Sequence, residues 1–189
     1  VIPKELWQTA INVQAFLQSL NVPFCFIGGI AIQRWGEPRV TKDVDATIIV
    51  EFGDERPLIQ AILENFDSRI ESPEQFAIQS RVLLVADGTG NGIDISLGSM
   101  LYEQSMAQRA SDWGVPVTGK ITTCSAEDLV ILKSFASRPQ DWIDVEKVII
   151  RQGAKLNRDL IVTELQPLVD LKEEPEIMEH LLDLLGKHS

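Results

Sequence analysis

The chain has 189 residues, of which 44% are hydrophobic and 24% charged, and it carries a formal net charge of −11. That length suits one core with a small helical appendage. No apolar run approaches the roughly 18 to 20 residues of a bilayer span, which excludes a helical anchor within these residues, and the excess of acid argues against a protein that coats nucleic acid non-specifically.

Residues 4–20 place Leu6, Trp7, Ala10, Val13, Phe16, Leu17 and Leu20 at helical spacing, which predicts an amphipathic helix stopped by Asn21-Val22-Pro23. Phe24 to Ile27 reads as a short buried strand ending at Gly28-Gly29, and residues 30–35 as a helix broken at Gly36 and Pro38. Val44 to Val50, rich in β-branched residues, predicts a second strand, and a helix is expected from about Pro57 to Phe66, with the proline in its first turn. Arg81 to Ala86 and Ile93 to Leu97 flank a glycine-rich loop, Asp87-Gly88-Thr89-Gly90-Asn91-Gly92, and so read as a hairpin. Residues 99–110 are expected to be helical and Val115 to Thr123 extended.

After Cys124 the pattern is helical throughout: Ala126 to Ala136, capped by Ser125 with Asp128 three residues on, then Asp141 to Gln152 ending at Gly153, Arg158 to Leu171, and Pro175 to Leu185. The fold class this predicts is α/β (α+β), with a sheet domain over 1–124 and a helical C-terminal part over 125–189 packed against it.

Lys4 and Glu5 sit in an amphipathic stretch with no basic-then-apolar leader pattern. Cys25 and Cys124 lie in apolar contexts far apart in sequence, so buried thiols in a reducing, cytoplasmic chain are expected, with no membrane partner. The charge is uneven. Lys133, Arg138, Lys147, Arg151, Lys155 and Arg158 face only Asp141, Asp144 and Glu146 within 133–158, a net of +3 that leaves −14 for the rest. That is either a local anion-binding face or a run of solvated helix charges.

The chemistry concentrates between Gly28 and Asp45. Asp43 and Asp45 are two apart on a strand, where alternate side chains share a face, so both carboxylates point one way while Val44 and Ala46 face the core. Two anions so close repel unless a cation lies between them, and hard oxygen ligands suit Mg²⁺, which takes its other ligands from water and phosphate. An isolated Asp-x-Asp is more often a solvated strand face; its neighbours alter that balance. Gly28-Gly29, between a strand and a helix, lets backbone N–H groups approach a phosphate. Arg39 and Lys42, with Arg34 further back, supply counter-charge for a triphosphate, and Thr41 either holds the turn or donates to phosphate. A third acid, Asp94, heads the apolar strand Ile93-Asp94-Ile95, where packing gives no reason for it. Three carboxylates on neighbouring strands can hold two metal ions.

Trp7 and Trp142 fall at core positions, and Trp35 either packs or stacks on a nucleobase beside the site. His180 and His188 have no companions in sequence that would make a zinc site.

Gly28-Gly29-x-Ala31, Gly36, Arg39, Thr41, Asp43, Asp45 and the later lone Asp94 resemble the DNA polymerase β-like nucleotidyltransferase superfamily. The G-G-x-A opening and the R-x-T-x-D-x-D run are most similar to the bacterial abortive-infection (AbiE-type) and toxin–antitoxin nucleotidyltransferases. The block 126–153, with its helical lysine followed by Arg-Pro-x-Asp and a second Asp three residues on, is similar to that group too. The resemblance spans about residues 24–160. It implies a polymerase β-like mixed sheet flanked by helices, and an enzyme that moves an NMP from an NTP to a hydroxyl acceptor with two Mg²⁺ ions or Mn²⁺. Asp43 and Asp45 would be paired metal ligands. Asp94 would be the third, helping to deprotonate the acceptor. Gly28 and Gly29 would cradle the β- and γ-phosphates, Thr41, Lys133 and Arg138 would contact the nucleotide, and Arg39 would either orient phosphate or brace the carboxylates. Asp141 and Asp144 would steady Lys133 and Arg138, with a purely structural salt-bridge network as the equal alternative for these charged residues. Relatives more often carry Gly-Ser where this chain has Gly28-Gly29, which leaves that phosphate contact to the backbone. The acceptor stays open among RNA, protein and a small molecule, and a cognate antitoxin is an implied partner. A catalytically weak NTP-binding or partner-binding module, and an antibiotic-modifying nucleotidyltransferase, are the competing readings.

Overall fold

The computed structural model of the chain describes residues 2–188. Two compact units emerge. One comprises the chain up to Ile30 together with Arg39–Cys124; the other comprises Ala31–Pro38 together with the chain from Ser125 onward.

The first unit is built on a mixed seven-stranded sheet. Its strands are β1 (Phe24–Phe26), β2 (Asp43–Ile49), β3 (Asp67–Ser68), β4 (Val82–Ala86), β5 (Gly92–Gly98), β6 (Ser111–Gly114) and β7 (Lys120–Thr123), in the spatial order β3-β4-β5-β2-β1-β7-β6. The β2–β5 and β1–β7 pairs are parallel and the others antiparallel. Strand alternation sends Val44, Ala46, Ile48, Ile93, Ile95, Leu83 and Val85 to one face, where they pack with α1 (Lys4–Ser19), α3 (Glu55–Leu63) and α4 (Pro73–Ser80). Leu6, Trp7, Ala10, Val13 and Leu17 form the buried stripe of α1, and Asn21, held at φ 54°, turns the chain after it. The opposite face of β2 and β5 carries Asp43, Asp45, Thr47, Asp94 and Ser96.

Helix α2 (Gly28–Trp35) starts at the glycine pair itself. Helix α3 begins two residues before Pro57, because the Glu55 carboxylate accepts from Gly53 N at 2.8 Å and pairs with Arg81, fixing the first turn there. The stretch 67–80, without a periodic signal, holds the two-residue β3 and helix α4, which opens on Pro73. Helix α5 (Leu101–Arg109) is fixed by Glu103, which accepts from Ser99 N at 2.8 Å and Met100 N at 2.9 Å. The stretch expected to be extended over 115–123 divides: pairing covers Ser111–Gly114 and Lys120–Thr123, with a connection between them. The hairpin loop closes on Asp87, whose carboxylate accepts from Thr89 N at 2.9 Å and Asn91 N at 3.1 Å.

In the second unit α6 (Ala126–Ala136) is capped by Ser125, whose Oγ accepts from Asp128 N at 3.0 Å. Helix α7 (Pro139–Gln152) starts two residues earlier than expected because Pro139 suits the first helical position. Helices α8 (Arg158–Lys172) and α9 (Glu176–Lys187) follow. Trp7 is buried as expected, whereas Trp142 is half-buried and stacks on His180 at 4.0 Å, a partner supplied by α9 rather than by a core. Cys25 and Cys124 are buried thiols. No helix among the described residues is long and apolar enough to cross a membrane.

Candidate active site

The β2–β5 ladder sets Asp43 opposite Gly92 and Asp45 opposite Asp94. Partners in a parallel ladder point to the same side, and Asp43 and Asp45 are two apart, so all three carboxylates rise from one face of two adjacent strands. The residues between them, Val44 and Ile93, are fully buried on the other face. A shift of one residue in register would exchange these faces, so the core fixes where the acids stand.

Glycines line the approach. Gly28 has φ +55°, and a Cβ there would run into the Asp45 carboxylate; both facts require glycine. Gly29 N donates to Asp45 Oδ2 at 3.3 Å, so the first turn of α2 meets that carboxylate with its positive end. A Cβ on Gly29 would overlap the Thr41 hydroxyl, whose own oxygen lies 3.4 Å from the Asp43 carbonyl. Gly92 clears the Asp43 carboxylate in the same way. Gly28, Gly29, Thr41 and the three acids thus form one contiguous group. Arg39, half-buried, donates from Nη1 to the Val40 carbonyl at 3.1 Å. Trp35, half-buried, lies beneath the Arg34 guanidinium at 4.1 Å.

Arg69 has no counterpart in the sequence reading. It follows the edge strand β3, its backbone N donates to the Leu84 carbonyl at 3.1 Å, and its guanidinium reaches across the acids. Nη2 pairs with Asp94, and Nη1 stands 3.7 Å from Asp43. Burial raises the pKa of Asp94 above the ordinary carboxylate range and the charge of Asp43 adds to the rise, against the opposing pull of Arg69.

Lys133 belongs to a buried network in the second unit, and the exposed Arg138 joins it at Asp141. Lys133 Nζ donates to Asp141 Oδ1 at 2.8 Å and stands 2.8 Å from Asp144 Oδ2, and Arg138 Nε donates to Asp141 Oδ2 at 2.6 Å. Burial works to raise the Asp141 pKa, but the hydrogen bonds and charges of Arg138 and Lys133 outweigh it, and the carboxyl titrates below its usual range.

As the side chains stand, no three His, Cys, Asp or Glu residues among those described surround a single point as metal ligands would. The donor set nevertheless suits a hard divalent cation. Three carboxylates share one face, Gly28 and Gly92 leave open the space against Asp45 and Asp43, and a cationic guanidinium already bridges toward two of the acids.

A family model described as nucleotidyl transferase AbiEii toxin, type IV TA system, matches residues 14–166. No curated protein matches the sequence. Among solved structures, an antigenic nucleotidyltransferase-like protein from Paracoccidioides brasiliensis is similar with a TM-score of 0.50 at 18% identity, over 94% of this chain and 92% of that one. The antibiotic-resistance factor ANT(2'')-Ia is similar with a TM-score of 0.53 at 16% identity, over 91% of this chain and 94% of its own. At these identities the likeness is one of fold: the mixed sheet with its flanking helices is that of nucleotidyltransferase-like proteins.

Proposed function

The chain belongs to the AbiEii nucleotidyl transferase toxin family, and from that premise we propose that it transfers a nucleoside monophosphate from an NTP to a hydroxyl acceptor, releasing pyrophosphate, in a reaction dependent on Mg²⁺ or Mn²⁺. The observation that carries this reading is the placement of Asp43, Asp45 and Asp94 on one face of two register-paired strands beside the first turn of α2.

Asp43, Asp45 and Asp94 would hold the cation, which when bound supplies neutralisation of charge at the transferring phosphorus and acidifies the acceptor hydroxyl. The chain's own groups do the rest. Backbone N–H groups of Gly28 and Gly29 orient the β- and γ-phosphates, with the positive end of α2 behind them. Thr41 and Arg39 lie just before the paired acids and contribute a hydroxyl and a fixed positive charge. Asp94, opposite Asp45 in the ladder, is assigned the task of taking the acceptor's proton as the new O–P bond forms. In-line attack then needs positioning and electrostatic support more than covalent chemistry. Lys133, held between Asp141 and Asp144, serves that network in this reading rather than the phosphates.

The biological role that fits is the toxin of a type IV toxin–antitoxin or phage-defence pair, with an antitoxin as partner and RNA as the acceptor to test first. Labelled NTPs are incubated with the protein, Mg²⁺ and either total RNA or cell lysate. Label is expected in one acceptor fraction and is lost with Asp45→Ala; no transfer to any fraction removes the enzyme reading. Growth arrest on expression distinguishes a toxin from an antibiotic-modifying enzyme, which would protect cells from a drug instead.

A further inference from the structure

The guanidinium of Arg69 reaches two of the three acids. It pairs with Asp94 through Nη2, and its Nη1 is 3.7 Å from Asp43 Oδ1. Its side chain is 32% exposed, so the guanidinium is not locked in the core. Three features hold it in place. The backbone of Arg69 is anchored by donation to the Leu84 carbonyl, and Leu84 is the β4 partner of Asp94 itself. Gly92 provides the room: a Cβ there would stand 2.8 Å from Nη1. The third is electrostatic, since three carboxylates on one face repel unless positive charge is near.

We propose that Arg69 is a built-in counter-ion of the metal site, one that holds Asp43 and Asp94 in the metal-free protein and that a divalent cation must displace. This rests on the metal-dependent reading of the site given above. An arginine suits the task because its planar fork spans two acceptors. Displacement exchanges one set of charge-assisted hydrogen bonds for metal coordination, so cation affinity is lower than the three carboxylates alone would give. Arg69 thereby sets the cation concentration at which the site loads.

The test is Mn²⁺ titrated into the full chain without nucleotide, with free Mn²⁺ read by electron paramagnetic resonance. Removing a charge-assisted hydrogen-bonding partner of this kind is expected to tighten Mn²⁺ binding by about tenfold in Arg69→Ala. Arg69→Gln, which keeps much of the side chain's length but removes its charge, should follow it and gives a second reading if the alanine variant does not fold. Arg69→Lys should stay near the parent protein. The metal-induced rise in melting temperature should be larger in the Ala and Gln variants. Equal or weaker Mn²⁺ binding by folded Ala and Gln variants overturns the counter-ion role and leaves the metal-dependent reading intact. Absence of Mn²⁺ binding by parent and variants alike overturns both.

Discussion

On the sheet, Asp43 and Asp94 meet the guanidinium of Arg69 in a half-open setting, with 46% and 35% of their side chains exposed. In the helical unit, the side chains of Asp141 and Asp144 are 4% and 2% exposed and both lie against the Lys133 ammonium, with Arg138 added at Asp141. Proton affinity moves in opposite directions in the two places. Burial and a like charge raise Asp94, while at Asp141 burial is outweighed by cations and hydrogen bonds. The buried cluster satisfies its own charge and behaves as structure. The half-open cluster keeps negative charge that a ligand can still meet, which is what a site for a cation and a polyanionic substrate needs.

The contrast breaks most visibly at Asp45. Asp45→Ala is expected to reduce transfer by about 10³-fold or more, since it removes charge stabilisation from the transition state, while the melting temperature stays close to that of the parent. A large loss of stability instead would make Asp45 a structural residue like Asp141. The reverse holds for Lys133. Lys133→Met leaves two buried carboxylates short of their cation and should cost about 3–5 kcal/mol in urea unfolding. A much smaller loss would mean that the ammonium's charge serves a ligand rather than the network.

Gly28→Ala tests the boundary between the two kinds of role. The residue holds φ +55° and abuts the Asp45 carboxylate, so about 1–3 kcal/mol of destabilisation is expected, together with a fall in activity as Asp45 is pushed aside. Equal activity would separate the helix start from the acids.

The smallest effects are in pH dependence, and their signs differ. With Asp94 raised in the folded protein, stability falls as pH rises from the ordinary carboxylate range through the raised folded value, and Asp94→Asn should flatten that decline. With Asp141 lowered, its contribution is complete above the ordinary carboxylate pKa and is lost as pH falls through the depressed folded value. Chemical denaturation at a series of pH values, on the parent and on the Asp94→Asn and Asp141→Asn variants, reads both slopes.

Where side-chain period and backbone constraint are local, the chain states its structure in its residues. Alternation over 43–49 placed Val44 and Ala46 inward and the two aspartates outward, because a strand repeats every two residues. The Asp87–Gly92 loop, the Ser125 cap and the stripe of α1 were legible for the same reason. Gly28-Gly29 announced a close approach, though not that α2 would begin at Gly28 itself. What tertiary structure alone decided depends on contacts across long separations. Asp94 faces Asp45 through a register 49 residues apart that no local pattern specifies. Arg69 reaches Asp94 across 25 residues from a two-residue edge strand too short to show any period. Lys133 meets two carboxylates at the turn between α6 and α7. The sequence by itself determined which residues could bear the chemistry; pairing and packing decided which charges meet, because attraction and repulsion act through space, and the sheet register brings these acids and their arginine together.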